Sequence, residues 1–184
     1  MLAASRGAIL VPTMPSIYEP LRREVDARGN VDARMCFYLS ALLTAADQIR
    51  SHLIAGDPVV VESYFARCLA NHHALGAGID IALPSDLPQP TTYYLICAED
   101  ERRRRLVHRD KPVSRWDVLA EDAADRINRA YAQFPMYRIN TTGLGPEDVC
   151  RAILATDKRG AHRSANPEPV GPHPYVLPPV PCRS

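Results

Sequence analysis

Lysine is nearly absent from this chain. Only Lys111 and Lys158 represent it among 22 basic residues in a sequence of 184. The 21 acidic residues leave a net charge of +1, so no global charge argues for nucleic acid or a membrane surface as partner. Long apolar runs are missing too, which excludes a signal peptide or spanning helix of the usual kind from the reading. The five cysteines, Cys36, Cys68, Cys97, Cys150 and Cys182, show no CxxC spacing, which removes the common zinc and dithiol frameworks. Their odd number and lack of a framework predict a reducing, cytoplasmic setting. No Gly-x-Ser-x-Gly elbow supports a hydrolase triad. His72 and His73 are adjacent on a predicted helix and point apart, so they do not suggest a metal.

What is present alternates between strand and helix patterns, the mark of an α/β fold with a parallel sheet. The apolar β-branched run Val59–Val61 follows a Gly56-Asp57-Pro58 turn and reads as a strand buried on both faces. It ends in Glu62, an acid at the carboxyl end of a strand, where open α/β sheets bind ligands. Further strands are predicted at Ala8–Val11, Thr91–Cys97 and Tyr137–Thr141. Helices are predicted at Ser16–Ala27, Asp32–Ala55, Glu99–Arg109 and Trp116–Phe134, with a last one from Pro146 to Leu154. The α/β domain is placed at residues 1–156. Residues 157–184, which hold seven of the 17 prolines, read as a disordered or extended tail. Seven basic residues lie between Arg102 and Arg115. Within that run Arg102, Arg105 and Arg109 recur at helical spacing and are expected on one face.

Two stretches carry a resemblance. FYLSALLTAADQIRSHLIAG is followed directly by the Asp57-Pro58 turn and VVVESYFARCLANHHALG. Later come EDERRRRLVHR after TTYYLI, a helix ending in Ala130-Tyr131, and INTTGLGPEDVCRAIL. In this order, from Ala3 to about Leu154, the chain resembles the thymidylate kinase family of P-loop nucleoside monophosphate kinases. The resemblance implies a three-layer, mostly parallel sheet flanked by helices and an ATP- and Mg²⁺-dependent phosphoryl transfer to a nucleoside monophosphate or related small molecule. Glu62 would act through Mg²⁺ or the acceptor, and Arg102, Arg105 and Arg109 would clamp phosphoryl oxygens. Phe37, Tyr64, Asn71 and His72 would line the acceptor site, and Thr141 and Thr142 would sit near adenine.

Departures from the family pattern limit that expectation. The GxxxxGK[ST] loop is absent, since no lysine follows a glycine anywhere in the chain. Met1 falls where the helix after that loop should be ending, so the usual first strand, central in the resembled sheet, is missing. Such a chain would belong to a longer kinase, would close up or pair with a second copy as a homodimer, or would serve as a catalytically inactive binding or regulatory relative. Ser63 stands where the family has a phosphate-clamping arginine, and Arg67, one helical turn on, is the candidate substitute. Asn71, His72 and Ala41 also differ from the residues usual at an ordinary dTMP pocket.

Overall fold

Residues 1–161 are described by the structure, a computed structural model, with side chains through residue 157. The short helix α1 (Leu2–Ser5) ends before Gly7, whose φ of +58° suits a residue without a Cβ. Strand β1 (Ile9–Val11) follows. A 3-10 turn at Ser16–Tyr18 then leads into α2 (Glu19–Ala27), with Pro20 in its first turn, where a missing N–H costs nothing. Helix α3 (Val31–Ile54) is the longest. The side chain of its N-cap Asn30 accepts from the Ala33 N–H at 2.9 Å. Gly56, at φ +85°, turns the chain into β2 (Val59–Val61), and α4 (Phe65–Ala74) follows.

After an irregular stretch come β3 (Tyr93–Ile96) and α5 (Glu99–Val107). Helix α6 (Arg115–Asp122) opens on a capping box between Ser114 and Asp117. It is followed by α7 (Ala124–Tyr131), β4 (Tyr137–Asn140) and α8 (Pro146–Ala161). The chain is thus mixed α/β. Among the described residues no helix is long and apolar enough to cross a membrane.

The strands form two separate parallel pairs. β1 lies against β2, with Ile9 opposite Val59, and β3 lies against β4, with Tyr93 opposite Tyr137. Each pair is joined through helices, as parallel pairing demands. The core lies mostly between α3, α4 and α7. Phe65 and Met35 are fully buried there, and Leu69 and Ala46 nearly so.

The structure revises several sequence expectations. Val59, Val60 and Val61 are half-buried rather than buried on both faces, because β2 has a strand neighbour only in β1 among the described residues. The helix expected over Trp116–Phe134 is two helices, broken at the closely packed Ala123. The break leaves Val118 exposed and sets Ile127 and Tyr131 into the core. Helix α5 stops at Val107, where the His108 ring bonds the Arg104 carbonyl at 2.8 Å. Arg109 therefore lies beyond the helix that carries Arg102 and Arg105. Helix α8 continues to Ala161, past the boundary set at residue 156. The proline-rich stretch lies outside the described residues.

Phe65→Ala is expected to cost about 3–5 kcal/mol, because a fully buried ring at the α3–α4 contact is replaced by a cavity. Urea denaturation measures it. A loss under about 1 kcal/mol would show that this contact does not organise the core.

Candidate functional site

An open cleft of about 560 Å³ lies beside Leu2 of α1, the carboxyl-terminal parts of β2 and β3, the turn after β4 and helix α8. Glu62, directly after β2, and Arg105 of α5 lie on its walls, together with Leu95 of β3, Leu144 just past β4, and Val149 and Ile153 of α8. This is the location at which parallel α/β sheets bind ligands. Of the residues singled out in the sequence, the cleft brings together Glu62 and Arg105.

The other candidates do not line it. Glu62 is exposed. Arg67 is exposed on the first turn of α4, and its Nη1 donates to Ser63 Oγ at 2.7 Å. The guanidinium thus stands over Ser63. Tyr64, at the N-cap of α4, is buried edge-on against Phe65 with ring centroids 4.6 Å apart. Asn71 is half-buried on α4. Phe37 packs edge-on against Tyr18 and Tyr38.

The arginine run is largely committed to internal partners. Arg102 donates to Glu121 at 2.8 Å. Arg105 donates to Glu101 at 2.8 Å, to the Thr141 carbonyl at 2.8 Å and to the Leu144 carbonyl at 3.2 Å. Arg109 pairs with Asp117. Burial alone would raise the Asp117 carboxyl, but hydrogen bonds from Arg109 and Ser114 and the charge of Arg109 win and bring it down to about 2. Thr141 is buried; its hydroxyl donates to the Ile96 carbonyl at 3.0 Å and lies 3.3 Å from Arg105 Nη1. The Thr142 hydroxyl accepts from the Ala98 N–H at 2.9 Å. Both threonines therefore tie the end of β4 to the end of β3.

His72 is the centre of a cluster that sequence reasoning did not assemble. The Arg34 guanidinium lies 4.1 Å from the Trp116 ring centroid and 4.6 Å from that of Tyr38. Its Nε donates to Asp26 at 2.9 Å and its Nη1 to His72 Nε2 at 2.7 Å. Since arginine can only donate, Nε2 must accept, and the proton sits on Nδ1, which donates to the Cys68 carbonyl at 2.7 Å. Trp116 Nε1 donates to the Asp26 carbonyl at 2.7 Å. Helices α2, α3, α4 and α6 meet here, and both ring nitrogens of His72 are used within the fold. No periodicity marks Arg34. The one usable signal was a lone tryptophan following an arginine-rich run.

Burial, against a backbone hydrogen bond that favours the cation, brings His72 down to about 4, and the Arg34 charge adds to the drop. Burial pushes the neighbouring Cys68 thiol up to about 12, so it stays protonated and unreactive at neutral pH. Among the described residues no group of three His, Cys, Asp or Glu side chains could hold a metal ion.

Because His72 titrates lower in the folded chain than the ordinary value of about 6.5, the unfolded chain binds more protons between the two. Stability is therefore fully present above about pH 6.5 and falls as the pH drops towards 4. The expected loss between pH 7 and pH 5 is about 1–2 kcal/mol from this residue, read by urea midpoints. His72→Gln should flatten that slope. Equal slopes in both proteins would remove His72 as its cause.

No protein-family model matches the chain, and a search of curated proteins finds no match.

Proposed function

We propose that this chain is a nucleotide-kinase-like unit that binds a phosphorylated small molecule, a nucleoside monophosphate or a relative of one, at the carboxyl ends of its strands. The observation that carries the reading is the cleft with an acid, Glu62, and a base, Arg105, on its walls where parallel strands end. The thymidylate-kinase resemblance supplies the substrate class and the three-layer P-loop arrangement. The parallel pairing of β1 with β2 and of β3 with β4 is compatible with that arrangement.

Arg67 is the residue best disposed to hold the monophosphate. Its exposed guanidinium, outside the lining of the cleft, donates to Ser63, two residues past the end of β2. A phosphate oxygen would replace the serine hydroxyl as the stronger, charge-assisted acceptor. Glu62 fits a Mg²⁺ ion only in the manner usual for that ion, as one carboxylate completed by water and substrate phosphates. The residues present do not fit a nucleoside triphosphate. No glycine is followed by lysine, so nothing here matches the usual cradle for the outer phosphates. No transfer step is assigned to these residues by themselves.

A second reading, a binding or regulatory relative without catalysis, is favoured by the internal pairing of Arg102 and Arg109 with Glu121 and Asp117. Two arginines so held are not free to follow a transferring phosphoryl group.

The test is a thermal melt of the 184-residue chain with a panel of nucleoside monophosphates, with and without Mg-ATP. A monophosphate is expected to raise the melting temperature, because a ligand that binds only the folded state stabilises it. Arg67→Ala should weaken that ligand about tenfold, or about 1.4 kcal/mol. If no monophosphate moves the melt, the proposal fails. A shift by Mg-ATP with phosphoryl transfer by the chain alone would overturn the binding-only reading.

A further inference from the structure

We infer that the Arg34 guanidinium is a latch that holds helix α6 to the body of the protein, and that protonation of His72 opens it while the core between α3, α4 and α7 stays folded. The inference stands on side-chain geometry and does not rest on the nucleotide reading.

Helix α6 has one deep anchor. Trp116 is its only buried residue, and only Ala120, towards its carboxyl end, packs against the main core. Trp116 itself lies outside that core. The ion pairs of Asp117 with Arg109 and of Glu121 with Arg102 tie α6 to the α5 region and not to α2, α3 or α4. What joins α6 to those three helices is chiefly the Trp116 ring, 4.1 Å from the Arg34 guanidinium, and its Nε1 bond to the Asp26 carbonyl at 2.7 Å. The exposed Arg115 adds a passing contact beside Gly29.

The latch depends on which nitrogen holds a proton. Arg34 has donors alone, so its 2.7 Å contact with His72 Nε2 exists only while that nitrogen keeps its lone pair. The other ring nitrogen donates to the Cys68 carbonyl at 2.7 Å, so the ring cannot turn without losing that bond. A second proton sets N–H against N–H and cation against cation in a buried place. One of the two groups must then move. His72, 3% exposed, is held within the packed turns of α4. Arg34 has an alternative, because its Nε already donates to Asp26, whose carboxylate is partly open to water. Moving towards Asp26 withdraws the guanidinium from the Trp116 and Tyr38 rings. Helix α6 is then free to swing about its carboxyl end, where Ala123 stays buried in the core.

The charges around His72 set the direction. Arg34 of α3 and the adjacent His73 oppose its protonation, and Asp26 of α2 favours it. Arg22 of α2 lies 3.8 Å from the Asp26 carboxylate. Tyr38 of α3 is un-ionised, with its hydroxyl bonded to Asp26, and Cys68 is a protonated thiol. Helix α7 brings the un-ionised Tyr131 and Arg126, which is bonded to the Ala74 carbonyl. Helix α6 brings Trp116, with Arg115 5.8 Å from its ring centroid. Burial and the Arg34 charge therefore keep the latch closed at neutral pH, and it opens as the pH falls towards about 4.

Trp116 is the only tryptophan of the chain, so its fluorescence reports on α6. The 184-residue chain is titrated downward from neutral pH. Expected are a red shift of the emission and a several-fold rise in acrylamide quenching, with a midpoint near pH 4, while far-ultraviolet circular dichroism keeps its helical signal. His72→Gln keeps an acceptor oxygen for Arg34 and takes up no proton, so its emission should stay unshifted over the same range. Arg34→Gln removes the cation and should give the shifted, quenchable Trp116 already at neutral pH, with circular dichroism unchanged. Accessibility of Trp116 that appears only together with loss of helical signal would mean global unfolding and overturn the latch. Opening of the His72→Gln chain at the same pH would place the trigger on a carboxylate, Asp26 or Asp117, and overturn the role of His72. A shielded Trp116 in folded Arg34→Gln would overturn Arg34 as the anchor.

Discussion

A backbone amide withdrawn from water needs a partner, and that requirement shapes this chain more than any side chain does. Parallel strands cannot satisfy it by turning back on themselves. Each pair must be assembled through a helical crossover, and β1–β2 and β3–β4 are both built so. The crossover helices α3 and α7, with α4 packed against both, supply most of the buried core among the described residues. The strands are short and half-covered, so the helices hold them rather than the reverse. That is unusual for a parallel arrangement, in which both sheet faces normally lie under helices.

Arginine does the work that mixed basic residues share in most chains. Arg34 uses its flat faces on Trp116 and Tyr38 while its edge donates to Asp26 and His72. An ammonium group has no such faces and no fixed fork, so lysine could not make these contacts together. Arg105 likewise spans a carboxylate and two backbone carbonyls. The preference for arginine thus has a structural use at these two places. The neutral state of His72 belongs to the same logic, because a cation beside Arg34 would be repelled in a buried setting.

Strong local patterns carried most of the secondary structure. Val59–Val61, the TTYYLI run and the long apolar repeat of α3 were legible because period and composition agree there. The turn at Gly56 was legible from its Gly-Asp-Pro sequence, and the backbone there does take a positive φ. What failed was decided by tertiary contact. The break at Ala123 has no glycine or proline to announce it; it follows from packing of Ile127 and Tyr131 into the core. The end of α5 at Val107 is the local exception, where the His108 ring bonds the Arg104 carbonyl one turn back. The half-burial of β2 depends on what lies beside it, which no local pattern encodes. At the candidate site, Glu62 was legible from its place after a strand. The pairing of the arginines with Glu121 and Asp117 was not, because those partners lie on another helix.

The grip of Arg105 on Thr141 and Leu144 has a mechanical meaning. Those acceptors sit in the turn after β4, so one side chain rivets α5 to the rim of the second strand pair. The remaining ties of that helix to α6 are ion pairs of partly exposed side chains, which salt weakens. Loosening them leaves the rivet in place. The helix would then stay fastened to the strand rim at both ends, by the Ala98 bond to Thr142 at its start and by Arg105 near its close.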